Sequence, residues 1–234
     1  MKERFYNSIT FWIGVLVFST VFAAFILPVL PPWHRVIYRL TYSLIYFSAL
    51  YSLKKRSKKL ITLFLVTIVM EWVSGLLEAE FLLHIAQGFN IMFFIVIVSL
   101  LIRQIANEQE VNTRLIFGSI AGYLLLGIIF SIFTAIIIQN DPGAFNIAPE
   151  EIENMNHTLK MSVSNYWVFI TMGTLGYGDI LPLKPYTRSF STFIVIVGQF
   201  YIAIIVAMLV GKFAAGNLES TATAERSRKD SSAE

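Results

Sequence analysis

The sequence has no cysteine and few charged residues: charged side chains make up 14% of its 234 residues, whereas 56% are hydrophobic and 15% aromatic. Without cysteine, disulfides, thiolate metal sites and cysteine nucleophiles are excluded. The low charge argues against a soluble protein, because soluble domains carry about 25% charged residues. The mean hydropathy of +0.67 and the long apolar blocks instead indicate a membrane protein that crosses the bilayer several times.

Patterns typical of enzymes and of nucleic-acid-binding proteins are also missing from the sequence. It shows no paired carboxylates, metal-ligand spacing or nucleophile arrangement above chance, so we predict that it is not an enzyme. The net charge of +3 comes from basic residues beside apolar segments, which is typical of membrane topology and not of nucleic-acid binding. The predicted partners are therefore the lipid bilayer and, as argued below, other copies of the chain. No cofactor is predicted.

Six apolar segments are predicted to be transmembrane helices, since about 20 apolar residues span the hydrocarbon core. They are residues 9–30, 36–53, 60–77, 89–106, 115–138 and 189–213. The first follows Met1-Lys2-Glu3-Arg4 but is longer than the apolar part of a signal peptide, so we predict that it is retained. The predicted fold class is therefore an all-α membrane protein.

Basic residues predict the orientation of these helices. With both termini in the cytoplasm, most lysines and arginines lie on the inner side, as the positive-inside rule requires. The residues on that side are Lys2, Arg4, Lys54, Lys55, Arg56, Lys58, Lys59, Arg103, Arg114, Lys212, Arg226, Arg228 and Lys229. We therefore predict a multi-pass protein of the cell membrane.

The segment between the fifth and sixth apolar blocks contains a short apolar run, Met161 to Met172. This run is too short to span a bilayer and too apolar for a plain loop, so it predicts a re-entrant helix. Gly173, Gly176 and Gly178 follow directly. Non-helical backbone at membrane depth is tolerated where it lines a water-filled path, so these glycines predict a pore lining.

Residues 174–179, hereafter the filter segment, carry glycine at positions 176 and 178. In a pore, rings of backbone carbonyls can replace the hydration shell of an ion. Successive carbonyls face one axis when the backbone alternates between left- and right-handed conformations, and glycine enters the left-handed region without steric cost. Gly176 and Gly178 fit that demand.

Residues 166–179 read YWVFITMGTLGYGD, which resembles the pore helix and signature of the tetrameric potassium-channel superfamily. The resemblance covers residues 115–213. It implies a potassium-selective channel built from four identical chains. It also implies that K+ is bound by the carbonyls of Thr174, Leu175, Gly176 and Tyr177 and by the Thr174 hydroxyl, with Gly178 completing the strand.

The resemblance further implies how the filter segment is supported. Tyr177 is expected to point away from the pore axis and pack against Tyr166 and Trp167 of the pore helix. Tyr166 is expected to donate a hydrogen bond to Asp179, because tyrosine offers a phenolic hydroxyl. The negative end of the pore helix would favour a cation in the central cavity.

Three residues depart from the common pattern of that superfamily. Leu175 stands where valine is commonest, Gly173 replaces a threonine, and Ile170 replaces a glutamate found behind the filter in some relatives. These departures leave a non-selective cation channel as an alternative. A second alternative is a sensor or accessory subunit in which the pore is vestigial.

The last apolar block is expected to hold the gate. Gly198 either forms a hinge, as in many relatives, or allows close helix packing. Gln199 faces the cavity or caps a neighbouring helix. Helical spacing places Ile202, Val206 and Val210 along the cavity and the lower gate, where an apolar ring can close by dewetting.

Residues 1–114 are predicted to form a four-helix domain without a voltage sensor, followed by the pore domain at 115–213 and a frayed cytoplasmic tail at 214–234. The fourth span has Arg103 as its one basic residue. Steep voltage sensing requires several charges, each contributing about 2.3 kcal/mol per 100 mV. The gating stimulus and any regulator are left open.

Several charged residues allow more than one interpretation. Arg39 and Glu71 lie inside predicted spans, where they form an ion pair, line a regulatory site, or leave Arg39 to reach the headgroups. His84, predicted in an outer loop, is a candidate sensor of external pH.

The loop before the pore helix is acidic. Glu150, Glu151, Glu153 and Asp141 form either a cation-concentrating mouth or an ordinary solvated loop. Asn156-His157-Thr158 matches a glycosylation triplet.

Overall fold

A computed structural model describes residues 2–26, 35–54, 57–77, 80–108, 111–155 and 157–231. Its helices are α1 (Lys2–Val21, continued by a π-helical turn at Phe22–Ile26), α2 (Arg35–Tyr51), α3 (Lys58–Leu77), α4 (Glu80–Asn107), α5 (Thr113–Asn140), α6 (Pro149–Asn154), α7 (His157–Met172) and α8 (Pro185–Ser231). The described part of the chain contains no strand, only an isolated bridge between Phe145 and Pro182. The predicted all-α membrane protein is confirmed.

Five helical segments are long and apolar enough to cross a membrane. They are Ser8–Ile26, Lys58–Leu77, Phe81–Asn107, Thr113–Asn140 and Pro185–Ala215. Helix α2 occupies the position of the second predicted span but has 17 residues, so it is shorter than these five. The multi-pass architecture is therefore confirmed, and a sixth crossing at α2 stays a prediction.

Two predicted helix boundaries are wrong. Helix α4 begins at Glu80 and not at residue 89, so His84 lies on a helix and not in a loop. Helix α8 continues to Ser231, so the segment predicted to be frayed is helical over most of its length. The helices extend beyond the apolar runs, at the start of α4 and at the end of α8, because alanine, leucine, glutamate, lysine and arginine are favourable residues within a helix.

Helix α5 is the most buried of the five candidate spans. It lies between helices α1–α4, hereafter the front helices, and α7, which is the predicted pore helix. On one side its Leu125 and Ile128 join a core with Tyr46, Phe93 and Phe94 of α2 and α4. The ring of Tyr46 meets the Phe93 ring edge to face, with centroids 5.5 Å apart. On its other side α5 supports α7 and α8, and so positions the pore.

Glycines allow α5, α7 and α8 to approach closely, as small residues do in membrane helices. A Cβ at Gly127 would lie 2.5 Å from the Phe169 ring of α7. A Cβ at Gly122 would meet the hydroxyl of Tyr201 on α8. The three helices therefore form one tightly packed unit.

Candidate functional site

The first residues after the pore helix α7 are held by the helix end itself. The amides of Leu175 and Gly176 both donate to the carbonyl of Ile170, at 2.9 and 3.3 Å, and Thr174 N donates to the carbonyl of Thr171 at 3.0 Å. These bonds occupy carbonyls that a helix end otherwise leaves without partners. The amides at the start of the filter segment thus point back at the helix, which leaves them unable to face an ion.

The backbone of the filter segment alternates in handedness. The φ angles of Thr174, Gly176 and Gly178 are +59°, +51° and +81°, whereas Leu175 and Tyr177 keep negative φ. The predicted alternation is therefore present. Thr174 is the one non-glycine residue with positive φ in the described chain. A β-branched side chain is strained there by about 1–2 kcal/mol, and such strain is typical of functional sites.

Every residue from 173 to 179 is exposed in the single chain. The side chains of Leu175 and Tyr177 are 62% and 69% exposed. Trp167 is buried against Phe145, with ring centroids 4.9 Å apart. Within the described chain, Tyr177 is thus not seen to pack on Trp167, because Trp167 is buried against Phe145 instead.

Asp179, which follows the filter, is fixed by the pore helix. The Tyr166 hydroxyl donates to Oδ2 of Asp179 at 2.5 Å, and the amide of Ile180 donates to Oδ1 at 3.0 Å. The predicted Tyr166–Asp179 hydrogen bond is confirmed. The hydrogen bond from Tyr166 lowers the pKa of Asp179, so this carboxylate is ionised at neutral pH.

Asn146 holds the strand that leaves the filter, a role that was not predicted from the sequence. Its Nδ2 donates to the carbonyl of Asp179 at 3.0 Å, and its Oδ1 accepts from the amide of Leu181 at 2.5 Å. Its own amide donates to the carbonyl of Leu181 at 3.1 Å. The Asn146 side chain therefore bonds to backbone groups that lie at least 33 residues away in sequence. A single asparagine in a loop gives no sequence signal of such a contact.

A second hydrogen bond between a tyrosine and an aspartate lies at the N-terminal end of α8. The Tyr186 hydroxyl donates to Oδ2 of Asp141 at 2.6 Å, and the amide of Gly143 donates to Oδ1 at 3.1 Å. The bond from Tyr186 lowers the pKa of Asp141. Asp141 is thus a structural acceptor, whereas Glu150, Glu151 and Glu153 are exposed, and their role in a negative mouth stays a prediction.

The inner helix α8 meets the end of the pore helix at Met172. Gln199 Nε2 donates to the Met172 carbonyl at 3.1 Å, so of its two predicted roles the structure shows the cap. A Cβ on Gly198 would lie 3.4 Å from the same carbonyl, which is a close-packing contact. Helix α8 is continuous through Gly198, and a hinge there stays a prediction.

Ile202, Val206 and Val210, predicted to line the cavity, lie on the open face of α8. They are 41%, 51% and 62% exposed, whereas Tyr201 and Ile205 of the same helix are buried. These three side chains, hereafter the apolar strip, therefore point away from the rest of their own chain.

Residues 119–215 match the family model Ion_trans_2, described as ion channel. This chain contains an ion-channel domain. The match runs from α5 through the pore helix and the filter segment into α8. The protein is thus a multi-pass membrane protein of ion transport and not an enzyme. No curated protein matches the chain.

Lys212 joins the channel domain to the front helices, and this contact was not predicted from the sequence either. Its Nζ donates to the carbonyls of Ile105 and Ala106 at the end of α4 and of Glu108, at 2.5, 3.1 and 2.5 Å. A cation suits these carbonyls because a helix end carries partial negative charge. The Glu108 carboxylate in turn meets Nζ of Lys54 at 2.5 Å.

The predicted ion pair between Arg39 and Glu71 is wrong as a direct contact in the described part of the chain. Arg39 Nη2 donates instead to the carbonyl of Gly75. Glu71 accepts from Asn90 Nδ2 at 2.9 Å. Gly75 has no side chain, so the guanidinium can lie directly on the backbone of α3. Arg39 and Glu71 nevertheless line one cavity, which is described below.

Some predictions concern residues that the structure does not describe. Asn156 of the glycosylation triplet and residues 27–30 of the first predicted span lie outside the described residues. On α4, Arg103 is the one lysine or arginine and lies one turn from the helix end. Because α4 carries this single basic residue near its end, weak voltage dependence stays a prediction.

Proposed function

We propose that four copies of this chain form a potassium-selective channel that conducts passively across the cell membrane, with both termini in the cytoplasm. The observation that carries the proposal is the alternation of φ at Thr174, Gly176 and Gly178. Such a strand turns its carbonyls to one side. Stacked carbonyls can replace the hydration shell of K+.

The proposed ion ligands are the carbonyls of Thr174, Leu175, Gly176 and Tyr177 and the Thr174 hydroxyl, with Gly178 ending the strand. One strand supplies a single oxygen at each level, so several copies are needed to enclose an ion. The exposure of Leu175 and Tyr177 supports this assembly, because large apolar side chains at a functional site are normally covered by a partner.

The proposed gate is the inner end of α8. Ile202, Val206 and Val210 form an apolar strip on the face that α8 turns away from its own chain. Four such strips would form a narrow apolar ring that can close by dewetting. We propose weak voltage dependence, since Arg103 is the one basic residue on α4.

Bi-ionic reversal potentials in planar bilayers test selectivity. The proposal expects a large shift when external potassium is replaced by sodium, with block by barium, and a purified particle of four chains. Comparable sodium and potassium permeability would establish the non-selective cation channel, which Leu175 and Gly173 keep as a rival. Absence of any cation flux from a correctly assembled tetramer would favour the accessory subunit.

A further inference from the structure

A polar cavity of about 230 Å³ lies between the front helices and the pore helix. Its wall combines Arg39 of α2, Glu71 of α3, Asn90 of α4 and Thr158 of α7. One water molecule occupies about 30 Å³, so the cavity is large enough for a small organic molecule. Nothing in the channel mechanism uses it.

The two charged residues of this cavity, Arg39 and Glu71, do not pair with each other. Arg39 and Glu71 form no salt bridge within the described chain, although both are on the wall. An arginine has five N–H donors, so its bond to the Gly75 carbonyl leaves donors to offer to a ligand. Charges at membrane depth are costly unless they are paired.

Asn90 adds a second polar group that faces the same space. It is 7% exposed, and its Nδ2 is used by Glu71. Its Oδ1 is buried and has no hydrogen-bond partner among the described residues. A buried acceptor without a partner costs about 1–3 kcal/mol, so a ligand donor there would remove a penalty.

Ser74 and Gln87 also line the cavity, and much of the remaining wall is apolar. Ala86, Ile132 and Met161 are buried at the cavity, with Leu83 beside them. The rings of Tyr38 and Tyr42 lie 4.5 Å apart at the same cavity. The site therefore offers one positive group, one negative group and an apolar surface.

We propose that this cavity binds a small zwitterion with an apolar side chain, its anionic group at Arg39 and its ammonium group at Glu71 and Asn90. A molecule with a single charge would pair with one of these residues and be repelled by the other. A zwitterion pairs with both. The chemistry fits a free α-amino acid or the headgroup of a zwitterionic lipid.

The position of the cavity would place such a ligand against the channel domain. Thr158 and Met161 belong to α7, eight and five residues before Tyr166, which bonds to Asp179 after the filter segment. An occupant would thus touch the pore helix and three front helices at once.

Thermal unfolding of the purified full-length protein in detergent tests the proposal. The probes are L-leucine, 4-methylpentanoate and isoamylamine at millimolar concentration, which share one side chain and differ in charge. Leucine is expected to raise the Tm with a saturating dose dependence. The two singly charged analogues are expected to bind at least about tenfold more weakly. Glycerophosphoethanolamine separately tests the lipid headgroup.

Substitutions at the cavity sharpen the test. Glu71→Gln should abolish the shift caused by leucine and create one for 4-methylpentanoate, because Arg39 then has no opposing charge. Glu150→Gln, on exposed α6, should leave the leucine shift unchanged. If Glu71→Gln does not fold, Ala86→Leu, which fills the cavity, should abolish the shift.

Each outcome bears on the proposal. A shift with glycerophosphoethanolamine alone would support the site and assign a lipid as the source. No shift with either zwitterion, an equal shift with isoamylamine, or an unaltered leucine shift in Glu71→Gln would overturn it. The readout is independent of ion flux, so these results leave the proposed potassium conduction untouched.

Discussion

The Tyr166 hydroxyl donates a 2.5 Å hydrogen bond to the Asp179 carboxylate and so joins the pore helix to the C-terminal end of the filter segment. The same residue pair closes a loop of backbone that contains Thr174 in a strained conformation. Because the side chains of the filter segment are exposed, this bond and the contacts of Asn146 are the principal restraints on the C-terminal half of the segment within one chain.

Removal of the Tyr166 hydroxyl should destabilise the conducting filter. We expect Tyr166→Phe to assemble normally but to lose potassium current several times faster during a sustained recording. Tyr186→Phe is the matched control, because it removes the other tyrosine–aspartate bond, to Asp141, away from the filter. Equal current decay in the two variants would show that the Asp179 bond does not stabilise conduction.

Conduction should be insensitive to moderate external acid. Tyr166 lowers the pKa of Asp179, so the stabilisation is complete above the ordinary aspartate pKa of about 3.9 and is lost as the pH falls through the lower folded value. Potassium flux should therefore stay constant from neutral pH to about 5. In Tyr166→Phe the decline should begin at a higher pH. A wild-type decline near neutral pH would contradict the assignment to Asp179.

A side chain at Gly176 should abolish conduction. The obstacle is conformational and not spatial, because a Cβ there would meet nothing within 4 Å, whereas φ is +51°. Alanine would be strained by about 1–2 kcal/mol in each copy. We expect Gly176→Ala to form tetramers without selective current, measured by liposome flux and native mass. Gly14→Ala, in open space on α1, should conduct normally.

Loss of the Lys212 ammonium should loosen the channel domain from the front helices. Three carbonyls would lose their donor in Lys212→Met, and a hydrogen bond to a charged group contributes about 1.5–3 kcal/mol. We expect a lower Tm and an altered open probability. Lys59→Met, at an exposed position on α3, should change neither. Identical behaviour of both variants would show that Lys212 does not couple the two parts.

The backbone geometry of the filter segment could be predicted from the sequence because its signals are local. Gly176 and Gly178 mark the left-handed positions directly, and Tyr166 precedes Asp179 by thirteen residues. The short apolar run before them predicts a helix, and the structure has α7 there. Each of these features depends on neighbours in sequence, so the residue types alone carry the information.

The contacts that escaped prediction join residues far apart in the chain. Lys212 meets the end of α4 across more than a hundred positions, and Asn146 meets Asp179 across 33. An ion pair between Arg39 and Glu71 was one of the alternatives, because charges in a membrane need partners. In the structure, Arg39 donates to the backbone carbonyl of Gly75, and Glu71 accepts from the side-chain amide of Asn90. Such choices depend on tertiary packing, which composition does not encode.

The alternating filter strand also has a genetic consequence. In the proposed assembly each level of oxygens takes one member from every copy, so a single altered chain would interrupt all levels together. With equal expression of normal and Gly176-altered chains and random mixing, roughly one assembly in sixteen would be free of the alteration. An allele that damages this strand should therefore act dominantly over a normal one.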